Sequence, residues 1–338
     1  MLTKPHPLDI FATFNDKLDK LPKSLQFLDS DYLTLNNIIK TEVKDAHKLT
    51  MEASRVIPFL ILHLACLLVF VCGISTTAVL VAVGLYWLRI FFVGAFFHRY
   101  FSHRAYKTSR FAQCIFGFLT LTCVQRGPLW WASHHRNHHK YSDTEYDIHS
   151  PVQKGFFWSH VGWITTSENM VTDYRLIKDY AKYPELVFFN RLDWLGSAFL
   201  IFNLLVAGAI CQTYFPELHT NSFQLLVWGY FVSSVCLFHS TSMVNSIVHI
   251  FGYRTFPTTD NSRNNFIVAF FTCGEGWHNN HHFYPWRMKQ GYQWYEYDVT
   301  AFILRIFEKL GIIWDIREIK KTDHENNQKT KSKDLVKN

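Results

Sequence analysis

The sequence predicts an all-α integral membrane protein: four transmembrane helices in two hairpins, with a cytosolic helical cap that holds a His-rich dimetal site. Two long stretches that are almost free of charged residues predict the spans. The mean hydropathy of the 338 residues is only −0.02, so a substantial part of the chain must face water. The 18 histidines are clustered, and clustered imidazoles indicate a metal site.

The first hairpin is predicted between residues 56 and 97. Residues 56–87 contain no Asp, Glu, Lys or Arg, and the apolar run continues to Phe97 with Arg89 as its one charged residue. Because a span needs about 20 residues, the run predicts two spans, at about 56–73 and 77–97. Arg89 either pairs near the interface or faces a substrate channel.

The second hairpin is predicted between residues 195 and 249, at about 195–215 and 223–249. Residues 195–253 carry one formal charge, Glu217, which marks the turn. The last span would be about 40 Å long at 1.5 Å per residue, so its C-terminal end, with Asn245 and His249, should protrude into water. Residues 111–124 are apolar but too short to span, and they predict an interfacial or half-buried helix.

Charge distribution predicts the topology and three regions. Both hairpin turns lack Lys and Arg, whereas the remaining segments are rich in them, so both termini and all histidine clusters are expected in the cytosol. The net charge of +7 forms no single patch in the sequence, which favours a membrane surface and excludes nucleic acid as partner. The regions are a cytosolic or amphipathic segment over 1–55, a membrane domain over 56–319 and a polar tail over 320–338 that we expect to be disordered.

Three histidine boxes carry the chemistry. In boxes two and three the histidines stand at i, i+3 and i+4, which share one face of a helix. In box one they stand five apart, about 140° around an α-helix, so we expect the helix to end or bend between them. The candidate metal ligands are His98 and His103 in box one, His135, His138 and His139 in box two, His278, His281 and His282 in box three, with His249 as the ninth and Asn245 through a water.

Nine imidazoles are too many for one ion. Divided between two ions they give four or five each, and positions remain open for oxygen chemistry. Structural zinc takes four ligands and catalytic zinc three, so such a site indicates iron and dioxygen.

The boxes H-x4-H, H-x2-H-H and H-x2-H-H, with N-S-I-V-H before the last, resemble the membrane fatty acid desaturase family over about residues 57–311. The branch that they resemble is the delta-9, stearoyl-CoA desaturase type. The resemblance implies oxygen-dependent desaturation of a saturated acyl chain at two Fe²⁺ ions, giving a monounsaturated chain and water. It implies one iron bound by His98, His103, His135, His139 and His281, and the other by His138, His249, His278 and His282.

Other residues are expected to support this site. Asp143 and Glu275 flank the boxes, and carboxylates commonly accept the second N–H of a ligand imidazole. Along an acyl tunnel we expect contacts from Gln125, Trp130, Trp131 and Tyr86, with plain packing as the alternative for each.

The acyl carrier stays open at this stage. In animal acyl-CoA desaturases an Arg-Asp pair precedes box two and helps to hold the CoA head, whereas this chain has Ser133 and His134 there. Coenzyme A, a membrane lipid or acyl carrier protein could each carry the substrate. The chain lacks the H-P-G-G signature of a fused cytochrome b5, so a separate ferredoxin, or cytochrome b5 with its reductase, is the expected electron donor.

Two other functions are open. A membrane di-iron fatty acyl hydroxylase would use the same histidines. A metal or haem transporter would need ionisable residues in mid-span, whereas these spans are apolar apart from Arg89. The missing haem signature and retention signal favour a bacterial inner membrane over the endoplasmic reticulum.

Overall fold

The structure, a computed structural model, describes residues 29–30 and 51–319. Most of the segment over 1–55 and the tail over 320–338, for which amphipathic character and disorder are predicted, therefore lie outside the described residues. The described residues are mostly helical and contain one two-stranded sheet. The predicted all-α membrane fold is confirmed.

The first hairpin consists of α1 (Ala53–Cys72) and α2 (Thr76–Ser102), both long and apolar enough to cross a membrane. Gly73 turns the chain with a φ of +71°, a conformation that glycine adopts without a steric penalty. Ser75 then caps α2 by accepting a hydrogen bond from the backbone N–H of Ala78. The most apolar part of α1 contains no buried residue, so this helix packs only lightly on the others.

The C-terminal part of α2 ends where expected, but its hydrogen bonding differs from that of an α-helix. The helix ends at Ser102, between His98 and His103, and over its last turns, Val93–Ser102, it widens into π-type turns that the sequence does not predict. The N–H of His103 donates to the carbonyl of His98, five residues earlier, at 3.2 Å. In such a wide turn residues five apart become neighbours, and the two imidazole centroids lie 4.9 Å apart.

The segment between the hairpins is a series of short helices. Helix α3 is half-buried, as predicted for the apolar segment there, and α4 begins with a proline, which suits the first helical turn. The elements are β1 (Lys107–Thr108), α3 (Arg110–Leu121), α4 (Pro128–Tyr141), α5 (Pro151–Lys154), α6 (Phe156–His160), the 3-10 turns Gly162–Thr165 and Glu168–Met170, α7 (Lys178–Ala181) and α8 (Pro184–Arg191).

The second hairpin is α9 (Trp194–Tyr214) and α10 (Ser222–His249), again close to the predicted spans. A single 3-10 turn, Pro216–Leu218, joins them. Helix α10 also contains wide turns over Leu226–Val232. Its last residue, His249, lies beside the box-three histidine His278, so the histidines gather at one end of the bundle.

Arg89 is buried between the two hairpins. The residue is 1% exposed, and its guanidinium donates to the carbonyl of Thr122 and to the hydroxyl groups of Ser233 and Ser234, at 2.5–3.1 Å. The arginine therefore donates to uncharged acceptors inside the bundle, and these hydrogen bonds join α2 to α10 and to the chain after α3.

The remaining elements cover the end of α2. They are α11 (Phe266–Phe271), α12 (His278–Phe283), α13 (Val299–Lys309) and β2 (Ile313–Trp314), and β2 pairs antiparallel with β1. The aromatic end of α2 is the centre of the main hydrophobic core, where Phe96 and Phe97 are fully buried and Leu304 of α13 packs with them. This core fixes the helix that carries box one.

Candidate dimetal centre

The nine candidate histidines form two groups of convergent nitrogen atoms, and within each group the atoms lie within 4.8 Å of one another. The five-histidine group is His98, His103, His135, His139 and His281, and the four-histidine group is His138, His249, His278 and His282. These are the same two sets that the sequence resemblance implies. That they bind iron stays a prediction.

Helices α4 and α12 each contribute to both groups. On α4, His135 and His139 stand four apart and face the five-histidine group, while His138 faces the other. On α12, His278 and His282 are four apart in the four-histidine group, and His281 belongs to the five. The i, i+3, i+4 spacing thus places the histidine-bearing face of each helix between the two groups, so that each helix supplies ligands to both.

Distances within the groups suit metal coordination. The Nε2 atom of His281 lies 2.9 Å from that of His98 and 2.8 Å from that of His139. In the other group the Nε2 atoms of His249 and His278 are 3.1 Å apart. Two ligands at right angles with metal–nitrogen bonds of about 2.1 Å would be about 3 Å apart.

The tautomers of its rings make the four-histidine group a cation site. The Nδ1 atoms of His138, His249 and His282 each face a carboxylate, which can only accept, so each Nδ1 carries the proton. The three Nε2 atoms must then present lone pairs to one another. The buried Nε2 of His282 has no hydrogen-bond partner among the described residues. Converging lone pairs repel unless a cation lies between them, so the residues present fit a bound metal ion.

Burial also favours the neutral form of three imidazoles of the five-histidine group. The pKa of His103, His135 and His281 lies well below the usual histidine value. Burial is the main cause, and the neighbouring imidazoles are the second. A neutral imidazole is the form that binds a metal.

Four carboxylates hold the ligand rings. Asp143 accepts from His249 at 2.9 Å, Asp147 from His138 at 3.0 Å and Asp260 from His282 at 2.6 Å, while Glu275 accepts from His98. Burial alone would raise the pKa of Asp143, but the hydrogen bond from His249 lowers it to about 2, so the carboxylate stays charged. Asp143 and Glu275 are thus placed where carboxylates orient ligands. Sequence reasoning missed Asp260, which lies in a loop 22 residues before its partner and carries no motif.

Glu275 depends on a close approach of α2. Its carboxylate also accepts from Arg99 at 2.9 Å and from Gln290 at 2.8 Å. A Cβ atom on Gly94 would lie 2.6 Å from its Oε1 atom, so only glycine leaves room for the side chain there.

A cavity of about 330 Å³ leads to the five-histidine group. It lies between α1, α4 and α10 and reaches His135. Of the residues expected at an acyl tunnel, Gln125, Trp130 and Trp131 line it, and so does Asn245. Tyr86 is not among its lining residues; its hydroxyl donates to the carbonyl of Phe271 at 2.6 Å.

Comparison with known proteins gives a family match. Residues 55–311 match the family model described as fatty acid desaturase. The chain is 34% identical over 262 residues to the sn-1 stearoyl-lipid 9-desaturase of Anabaena variabilis, which covers 77% of this chain and 91% of that protein. It is 34% identical over 275 residues to the sn-1 stearoyl-lipid 9-desaturase of Synechocystis, covering 80% and 81%.

A plant protein is similar over a shorter region. The acyl-CoA 5-desaturase of Anemone leveillei is 33% identical over 224 residues, which is 65% of this chain and 65% of the plant protein's length. The two cyanobacterial proteins are named for a lipid-bound stearoyl chain and position 9, whereas the plant protein is named for an acyl-CoA and position 5. The comparisons therefore identify the class of reaction but not the acyl carrier or the position of the double bond.

Proposed function

This chain belongs to the fatty acid desaturase family, and on that premise we propose that it desaturates a saturated fatty acyl chain at position 9 with a di-iron centre. The reaction converts –CH2–CH2–, O2, two electrons and two protons into –CH=CH– and two waters. The observation that carries the proposal is the convergence of nine histidines into two adjacent groups. Iron bound in these groups would supply the activation of dioxygen that attack on an unactivated methylene requires.

The protein's own part is orientation and exclusion of water. Asp143, Asp147 and Asp260 fix three rings of the four-histidine group, and Glu275 fixes His98. The apolar cavity would hold the acyl chain against His135. Gln125 donates to the hydroxyl of Thr241 at 2.9 Å and so ties the cavity wall to α10. Catalysis by proximity and orientation requires such a fixed geometry.

A membrane lipid is the proposed acyl carrier. Ser133 and His134 replace the Arg-Asp pair of the animal acyl-CoA enzymes, and both side chains contact the backbone carbonyl of Trp130, at 2.8 and 2.9 Å. They therefore offer no charged pair to a CoA head. The two cyanobacterial relatives are named as lipid desaturases. We further propose a separate electron donor, a ferredoxin or cytochrome b5 with its reductase, and a bacterial inner membrane with the histidine groups facing the cytosol.

Product analysis tests this function. The chain is expressed in a desaturase-deficient host with a compatible electron donor, and the lipids are examined by mass spectrometry with double-bond localisation. We expect a new 9-monoene that disappears in His281→Ala, because His281 contacts both His98 and His139. His219→Asn, at an exposed histidine in the second hairpin turn, is the matched control and should keep the product.

Two results would contradict the proposal. A hydroxylated acyl chain would move the function to a di-iron hydroxylase. No change in acyl chains, with iron bound and the donor present, would show that acyl chains are not the substrate.

A further inference from the structure

Two buried asparagines stand between the histidines of box three. Asn279 and Asn280 follow His278 on α12. A helix turns about 100° per residue, so the three histidines fall within one arc of its surface and the two asparagines lie outside that arc. Their exposed fractions are 0% and 3%. A buried amide needs hydrogen-bond partners, and these two amides find them in two different loops.

Helix α12 has only six residues and depends on neighbouring segments for its position. The side chain of Asn264 accepts from the backbone N–H groups of Asn279 and Asn280, at 3.0 and 3.2 Å. That contact holds the backbone of the helix, so it supports both histidine groups alike. The side chains of Asn279 and Asn280 differ in this respect, because each leads to one group.

The side chain of Asn279 holds the loop between α10 and α11, which carries Asp260. Its Oδ1 atom accepts from two backbone N–H groups of that loop at 2.8 and 2.7 Å, and its Nδ2 atom donates to the hydroxyl of Thr258 at 3.2 Å. That hydroxyl lies 3.2 Å from the hydroxyl of Ser262, which donates to Asp260. Because Asp260 accepts from His282, Asn279 is connected to a ligand of the four-histidine group.

The side chain of Asn280 holds the loop between α12 and α13. Its Nδ2 atom donates to the backbone carbonyl of Gln290 at 3.1 Å and to the carboxylate of Glu296 at 2.8 Å. The side chain of Gln290 donates to Glu275 at 2.8 Å, and Glu275 accepts from His98. Asn280 is therefore connected to a ligand of the five-histidine group.

We propose that Asn279 and Asn280 are positioning residues that each support one metal ion. Asn279 supports the ion of the four-histidine group through Asp260, and Asn280 supports the ion of the five-histidine group through Glu275. Neither asparagine is a ligand; each fixes the loop whose side chains orient a ligand ring. This inference rests on the proposed di-iron function.

Iron binding by the full chain, measured separately for the two sites, tests the inference. Mössbauer spectra distinguish the two irons, and the ligand variants His98→Ala and His282→Ala assign the two signals. Asn279→Ala should weaken binding of the iron in the four-histidine group about tenfold and leave the other unchanged, and Asn280→Ala should do the reverse. Asn203→Ala is the control, because this exposed amide donates within its own helix, and it should keep both irons.

Two smaller changes decide the question where an alanine variant fails to fold. Thr258→Val removes the hydroxyl that Asn279 contacts, and Gln290→Leu removes the donor to Glu275. The first should weaken only the iron of the four-histidine group, and the second only the iron of the five-histidine group.

Equal weakening of both irons in the folded variants would overturn the inference, because a purely structural role of α12 affects both groups alike. Unchanged binding of both irons would overturn it as well. Failure of the proposed di-iron function is distinct, because the wild-type protein itself would then bind fewer than two irons.

Discussion

Asp260 accepts a hydrogen bond from Nδ1 of His282 at 2.6 Å and is itself held by Ser262, whose hydroxyl and backbone N–H both donate to it. This contact fixes the tautomer of His282 and directs its Nε2 atom at the other three histidines of its group. Asp260 lies 22 residues before His282 in the sequence, outside the histidine boxes. It nevertheless accepts from Nδ1 of its histidine, as Asp143 does from His249 and Asp147 from His138.

Asp260→Asn is expected to reduce metal affinity and activity by about 10- to 100-fold, the usual effect of losing a carboxylate that supports a metal ligand. Metal analysis of the purified variant and monoene yield measure this. Asp315→Asn is the control, because that carboxylate is exposed and pairs with Lys107 at the surface. A variant at position 260 with full metal content and wild-type yield would contradict the role given to Asp260.

Gly94→Ala is expected to displace Glu275, since the added Cβ would lie 2.6 Å from its carboxylate and 3.1 Å from the hydroxyl of Thr300. His98 would lose its partner, and monoene yield should fall at least about tenfold. Gly84→Ala on the same helix meets nothing within 4 Å and should leave activity unchanged while adding about 0.5–1 kcal/mol of helix stability. Equal activity in the two variants would show that Glu275 needs no such clearance.

Arg89→Met is expected to destabilise the bundle by about 1–3 kcal/mol, because the carbonyl of Thr122 and the hydroxyls of Ser233 and Ser234 lose a buried donor. The measurement is thermal unfolding in detergent. Arg110→Met, at an exposed arginine paired with Glu185, should change the unfolding temperature little. An unchanged unfolding temperature for Arg89→Met would mean that these hydrogen bonds add nothing net.

Much of the fold could be predicted because its signals are local. Uncharged runs of span length predict α1, α2, α9 and α10, and the i, i+3, i+4 spacing predicts the helices α4 and α12. The wide turns at the end of α2 could not be predicted, since no residue pattern in Val93–Ser102 announces a change in hydrogen bonding. These wide turns, together with the end of the helix at Ser102, bring His98 and His103 together.

Contacts between distant segments could not be predicted from the sequence. Asp260 meets His282 only after the loop folds back, and Gly94 meets Glu275 only across two elements.

The most direct test of the central claim is the metal content of the purified protein together with its activity after metal removal. The account predicts two irons per chain, loss of monoene formation when a chelator removes them, and recovery when Fe²⁺ is restored in the presence of O2 and a reductant. His281→Ala and His282→Ala, one from each group, should each lower the iron content. Monoene formation by metal-free protein, or a preparation active with a single metal ion per chain, would contradict a dimetal centre built from these nine histidines.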